Sequence, residues 1–181
     1  MSLSSSLIQY KELNFLLCPS PTDTTLSAFI KTLKEHDVTT LIRCCEQSYS
    51  DEPLKKAGIT LLDYDYPDGD VPPERLIESL ITLLGQKNVS VNPKEAICIH
   101  CKSGLGRGPL LAAIALIERG LSAKETVDML RGKIRGCINS KQLAYLYSYK
   151  ARRKRSIQIT RLSGYRLFAS FPFRNFSSCL P

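Results

Sequence analysis

The sequence predicts an α/β domain: a central, mainly parallel sheet flanked by helices. Three observations point to it. Short β-rich runs alternate with amphipathic helical stretches, which is the pattern of parallel strands joined by helical crossovers. A glycine-rich turn stands at the carboxyl end of one such run, where open α/β sheets bind ligands. The chain also has the length of one domain, 181 residues, and ordinary proportions of apolar (43%) and charged (23%) residues. Those proportions exclude a wholly disordered or collagen-like polypeptide.

Each element has its own warrant. Leu26, Phe29, Ile30 and Leu33 recur at helical spacing and end at the turn Glu35-His36-Asp37. Val38 to Cys45 is a β-rich run suited to a buried strand, and Ile59 to Tyr64 is a second. An acidic Pro/Gly loop, DYDYPDGDVPP (63–73), follows it. Leu76, Ile77, Leu80, Ile81 and Leu84 predict a helix over Glu74 to Gln86, with a loop around Asn92-Pro93. Ala96 to His100 is a third apolar strand, which runs directly into the turn Cys101 to Gly108 and a helix to Glu118. Pro109 is tolerated in the first turn of that helix and Gly120 stops it. Ser122 and Glu125 form a capping-box pattern for a helix to about Arg131. Asn139 or Ser140 caps a last helix through about Tyr149.

The net charge of +8 is unevenly distributed. Residues 1–149 carry 17 Lys/Arg and 17 Asp/Glu, whereas 150–181 carry Lys150, Arg152, Arg153, Lys154, Arg155, Arg161, Arg166 and Arg174 with no acid. The division is therefore a neutral domain over 1–149 and a basic tail over 150–181, disordered or membrane-associated. A neutral body gives no reason to expect nucleic acid as a partner. No apolar run approaches the roughly 18 residues of a membrane-spanning helix, and the N-terminus has no basic segment before an apolar one. Seven cysteines at irregular spacing then read as reduced cytosolic thiols. Cys179 is third from the end, whereas a prenylation box needs it fourth. The expected location is cytoplasmic, with peripheral membrane contact through 150–155 and no prenyl anchor.

The sharpest local signal is His100-Cys101-x5-Arg107. Lys102, Ser103, Gly104, Leu105 and Gly106 form a loop able to wrap a tetrahedral oxyanion with successive backbone N–H groups turned inward. The positive N-terminal end of the following helix strengthens that field, and a thiol set in it is the setting for a thiolate nucleophile at Cys101. Arg107 can hold two phosphate oxygens bidentately, a geometry lysine cannot reproduce. The implied chemistry is phosphoryl transfer to sulfur, followed by hydrolysis of phosphocysteine, with no cofactor and no metal. The leaving oxygen needs an acid. Asp68, between Pro67 and Gly69, is the best placed; Asp63, Asp65 and Asp70 are alternatives. A calcium loop over Asp63, Asp65 and Glu74 fails because position 6 is Asp68, where glycine is required. Cys98 with His100 and Cys101 could suggest zinc, but one strand-to-loop segment cannot easily supply tetrahedral ligands. Cys44 and Cys45 end a strand, and one of them could face the cleft. If Cys45 faced Cys101, oxidation could join them reversibly.

HCKSGLGRG resembles the signature loop of the cysteine-dependent protein tyrosine phosphatases, within the dual-specificity group. NFLLCPSPTDTTLSAFIKTLKEHDVTTLIRCCEQSY, DGDVPP, GLGRGPLLAAIALIERG and NSKQLAYL extend the likeness over roughly residues 8–150, to the phosphatase of regenerating liver type, protein tyrosine phosphatase type IVA. The resemblance implies a parallel-sheet phosphatase fold with Cys101 as nucleophile, Arg107 as phosphate binder, Asp68 as general acid and His100 in support. It also implies Cys45 as the redox partner of Cys101. Substrates would be phosphotyrosine proteins, with phosphoserine and phosphothreonine open. Lys102 is similar to the tensin-like phosphoinositide phosphatases, whose loops begin HCKAG, so phosphoinositides stay open too. The family further implies a binding role toward magnesium-transport mediators of the cyclin-M type. Gly108 stands where most tyrosine phosphatases have Ser or Thr and where type IVA has Ala, which implies slow turnover and a long-lived phosphoenzyme.

Overall fold

The β-rich runs pair as anticipated, and two elements without a sequence signal join them. A computed structural model describes residues 4–87 and 95–152. Its sheet contains β1 (Ser6–Tyr10), β2 (Leu13–Pro19), β3 (Thr40–Arg43), β4 (Thr60–Asp63) and β5 (Ile97–Cys101), in the order β1-β2-β5-β3-β4. The helices are α1 (Leu26–Glu35), α2 (Glu52–Lys56), α3 (Glu74–Lys87), α4 (Arg107–Glu118), α5 (Ala123–Lys133) and α6 (Ser140–Ser148).

Four strands are parallel and β1 is antiparallel to β2. The β1–β2 hairpin is an addition to the sequence reading. Its turn is Lys11-Glu12, with Lys11 at φ +52°, a conformation usually signalled by Gly or Asn. The short helix α2 is the other addition. The loop around Asn92-Pro93 and the tail from residue 153 lie outside the described residues.

Strand side chains alternate between two cores, as a period of two requires. Phe15, Leu17, Ile42, Ile97, Ile99 and Cys101 face the side covered by α3, α4, α5 and α6. Leu16, Cys18, Leu41 and Cys98 face α1 and α2. The helix α4 is buried along its whole length, which explains why its sequence is apolar on every side rather than along a stripe. It begins at Arg107, so Pro109 sits in the first turn, where it removes no intrahelical hydrogen bond. The capping boxes at Ser122/Glu125 and Asn139/Gln142 both form.

Register decides where the chemistry lies. Pro19 pairs with Cys101, and Arg43 pairs with both His100 and Asp63. The carboxyl ends of β2, β5, β3 and β4 therefore finish at one edge of the sheet, and the loops after them meet there. Among the described residues no helix is long and apolar enough to cross a membrane.

Candidate active site

The segment after β5 is a tight loop pressed onto the end of β2. Gly104 has φ +75°, and a Cβ on it would stand 2.9 Å from the Pro19 nitrogen and 3.0 Å from the Cys18 carbonyl carbon. Only glycine meets both demands. The Ser20 N–H donates to the Lys102 carbonyl (3.3 Å), and the Ile138 N–H donates to the Leu105 carbonyl (2.9 Å). The Leu105 N–H reaches Ser103 Oγ at 3.4 Å. Gly106 caps α4 with no side-chain partner, so the amides of the helix's first turn stay available on the loop side. Cys101 is buried where β5 enters this loop.

Arg107 opens α4 and is 5% exposed. Its Nη1 donates to the Tyr66 carbonyl (3.0 Å), and the Tyr66 hydroxyl donates to the Arg107 carbonyl (3.1 Å). This reciprocal pair ties the acidic loop to the start of the helix. The Arg107 Nε lies 3.3 Å from Asp68 Oδ1 but has no aligned hydrogen-bond partner, a costly state for a buried charged donor. A cleft of about 840 Å³ is lined by Ser20, Pro21, Thr22, Cys45, Glu46, Gln47, Ser48, Asp65, Tyr66, Pro67, Asp68, Lys102 and Arg107.

The four acid candidates are separated by their partners. Asp63 is bound bidentately to the buried Arg43, whose third contact is Asp51 at 2.8 Å. Asp70 pairs with Lys141 (2.8 Å), and that ammonium together with the Val71 N–H holds its carboxyl below the usual range. Each of the two carboxylates is thereby taken up by a basic partner, Asp63 by Arg43 and Asp70 by Lys141. Asp65, 3.5 Å from Arg107 Nη1, and Asp68 remain at the cleft.

His100, the residue before Cys101, is fully buried. Its Nε2 lies 2.7 Å from the Tyr49 hydroxyl, its Nδ1 4.0 Å from Cys45 Sγ, and the Phe29 ring packs edge-on at 6.1 Å. Burial, reinforced by the Arg43 charge, pushes its pKa down to about 4, so the ring is neutral at pH 7. Cys45 lines the cleft, whereas Cys44 is sealed in the core beside Tyr64 and Tyr66. Burial raises both thiols, and Arg107 opposes the rise at each. Cys98 faces the other side of the sheet, 3.6 Å from Cys18, so it shares no face with Cys101 and the zinc arrangement has no geometric basis.

Arg43, Tyr49, Tyr66 and Gln142 escaped sequence reasoning, and Asn139 was legible only as a helix cap. Arg43 left one trace, a charge inside an otherwise uncharged strand run. The others touch the site through contacts 41 to 72 residues apart in sequence, which no local pattern encodes.

Comparison with known proteins agrees with this geometry. The family model described as a polymorphic toxin system, DSP-PTPase phosphatase, matches residues 19–121. The chain is 42% identical over 147 residues to Homo sapiens protein tyrosine phosphatase type IVA 3, which spans 81% of this chain and 84% of the relative. It is 42% identical over 145 residues to the Drosophila melanogaster PRL-1 phosphatase, with 80% and 82% covered. A solved Leishmania major structure described as a protein tyrosine phosphatase has a TM-score of 0.75 at 30% identity, covering 82% of this chain and 99% of its own. From the strand–loop–helix at residues 97–118 to the matched length of these relatives, the chain belongs to the protein tyrosine phosphatase type IVA family and is a cysteine-dependent protein tyrosine phosphatase.

Proposed function

We propose that the chain dephosphorylates phosphotyrosine through a phosphocysteine on Cys101, with Arg107 as phosphate binder and Asp68 as general acid. The observation that carries this is Arg107 itself. A buried guanidinium with an unaligned Nε sits at the mouth of the glycine loop, and Asp68 stands 3.3 Å from that nitrogen. In the first step Cys101 Sγ forms the S–P bond as the bond from phosphorus to the phenolic oxygen breaks, and Asp68 gives its proton to that oxygen. Arg107 and backbone amides of the 102–107 loop bind the non-transferring oxygens as charge builds on them. In the second step water attacks phosphorus, Asp68 takes its proton, and the S–P electron pair returns to sulfur. Gly108 offers no hydroxyl to the departing thiolate, so this second step limits turnover.

Lys102 favours a second substrate class. It is exposed at the cleft, where its ammonium adds charge for a polyanionic phosphoinositide headgroup. A side-by-side assay of phosphotyrosine peptides and phosphoinositides with wild type and Cys101→Ser tests both readings. Loss of all hydrolysis in Cys101→Ser supports the mechanism, and retained hydrolysis overturns it. Retained binding of a cyclin-M type mediator by the same variant would separate a partner role from catalysis.

The basic cluster at 150–155 supports contact with anionic membrane, at about 1 kcal/mol per exposed basic residue. Arg152 is committed to Glu74, and its backbone N–H to Glu118, which leaves fewer free charges than the sequence suggests. Binding to anionic vesicles should therefore be weak, salt-sensitive and lost on deletion of 153–181. Binding retained after that deletion would transfer the contact to the catalytic body.

A further inference from the structure

We infer that the first turn of α6 is a clamp on the acidic loop, and that Asn139 and Gln142 are positioning residues for the proton-donating step. The inference rests on the reading of Asp68 as the acid. The side chain of Asp68 is 68% exposed, so its own packing does not fix its place. The backbone immediately after it is fixed instead. Asn139 Nδ2 donates to the Gly69 carbonyl (2.9 Å), Gln142 Nε2 donates to the Asp70 carbonyl (3.1 Å), and Lys141 pairs with the Asp70 carboxylate.

The two amides do more than cap a helix. Asn139 Oδ1 accepts from the Gln142 N–H (2.9 Å), and Gln142 Oε1 accepts from the Asn139 N–H (3.1 Å). That reciprocal pair is a complete capping box, made with the oxygens alone. At α5 the same task is done by Ser122 and Glu125, neither of which brings an amide donor. The NH₂ groups at Asn139 and Gln142 are thus surplus to capping, and both are spent on the acidic loop 70 and 72 residues away. Gln142 is fully buried, so its donor position is well defined.

The same turn also touches the phosphate loop. The Ile138 N–H donates to the Leu105 carbonyl, and a Cβ on Gly106 would lie 3.4 Å from Gln142 Nε2 and 3.9 Å from Asp68 Oδ1. Ile138 holds φ +64°, a costly conformation for a β-branched residue, and Arg131 Nη2 bonds its carbonyl. The strain sits at the junction that fixes acid loop and phosphate loop against one frame. One element thereby sets the distance between the acid and the atom it must protonate.

Asn139→Asp and Gln142→Glu keep the capping oxygen but replace the donor to the acidic loop by a charged acceptor; Gln142→Met removes the donor without adding charge, and the capping oxygen with it. Phosphocysteine formation is measured in single turnover with phenyl phosphate, a poor leaving group, and with 2,4-dinitrophenyl phosphate, a good one. Thermal melting is followed in parallel. The clamp predicts a loss of about tenfold with phenyl phosphate and less than about twofold with the dinitrophenyl ester, a fraction of full general-acid catalysis. Vanadate affinity should be unchanged. Equal slowing of both esters, or no slowing, overturns the clamp. Asp68→Ala in the same assay separates the two ideas. If it shows the leaving-group dependence while the clamp variants do not, only the clamp falls. If Asp68→Ala slows both esters equally, the acid reading falls and the clamp with it.

Discussion

The Tyr49 hydroxyl lies 2.7 Å from His100 Nε2, inside the core and one residue before Cys101 in the chain. This contact orients the histidine beneath the loop, while burial and the charge of Arg43, whose guanidinium lies 5.3 Å from the Tyr49 ring, keep it neutral. A buried polar pair of this kind couples the site to pH through stability.

His100 binds its proton near pH 4 in the folded chain but near the ordinary value of 6.5 when unfolded. Between those values the unfolded chain holds more protons, so stability is full above about pH 6.5 and falls as pH drops toward 4. The shift corresponds to about 3 kcal/mol at most. Urea melts from pH 7 to 4 should show this decline in wild type and a flatter profile in His100→Gln. The same pH slope in both proteins would assign the decline to other groups.

Gly108 leaves room for a larger residue. A Cβ there meets the Ile99 carbonyl oxygen at 3.5 Å and the Cys101 nitrogen at 3.9 Å, ordinary contact distances. Gly108→Ser places a hydroxyl next to the arginine, and a hydrogen bond to the departing thiolate is worth up to about 1.4 kcal/mol, or tenfold in rate. Steady-state turnover should rise by up to that factor and the pre-steady-state burst should shrink. Release of the first product without a pre-steady-state burst in wild type would contradict slow phosphocysteine hydrolysis.

Gly104→Ala tests the loop's dependence on its backbone. The substitution combines φ +75° with a 2.9 Å approach to the Pro19 nitrogen, and neither neighbour is a flexible side chain. A destabilisation of about 2 kcal/mol should come with loss of vanadate binding. Wild-type stability and affinity would mean that the loop conformation is not required.

Oxidation offers Cys101 two neighbours rather than one. Hydrogen peroxide oxidises a cysteine sulfur to a sulfenic acid, and a second thiol then condenses with it, forming S–S and releasing water. Cys45 lines the cleft, whereas Cys44 is fully buried in the core, so Cys45 is the accessible partner. Peptide mapping after mild peroxide treatment should yield Cys45–Cys101, and Cys45→Ser should make inactivation harder to reverse with dithiothreitol. A Cys44–Cys101 peptide would reassign the partner.

The strand, loop and helix at residues 97–118 were legible because their determinants are local: an apolar run, two glycines, an arginine at fixed spacing and a first-turn proline. The same holds for the caps at Ser122 and Asn139. The β1–β2 hairpin was not legible, since Lys11 adopts φ +52° without a turn-forming residue to announce it. The sequence put Asp68 first from its place between Pro67 and Gly69 but could not dismiss Asp63, Asp65 and Asp70, because Arg43 and Lys141, which engage Asp63 and Asp70, reach them from elsewhere in the fold.

By itself, then, the sequence determined the α/β class and the strand–loop–helix that carries Cys101 and Arg107, since period, glycine placement and spacing act over a few residues. Tertiary structure alone decided that Cys45 rather than Cys44 opens to the cleft, that Tyr49 seats His100, and that Asn139 and Gln142 hold the acidic loop. These follow from parallel strand register, which brings Pro19, Arg43, Asp63 and Cys101 to one sheet edge. Parallel pairing joins segments far apart in the chain, and that distance is the reason no local pattern foretold the contacts.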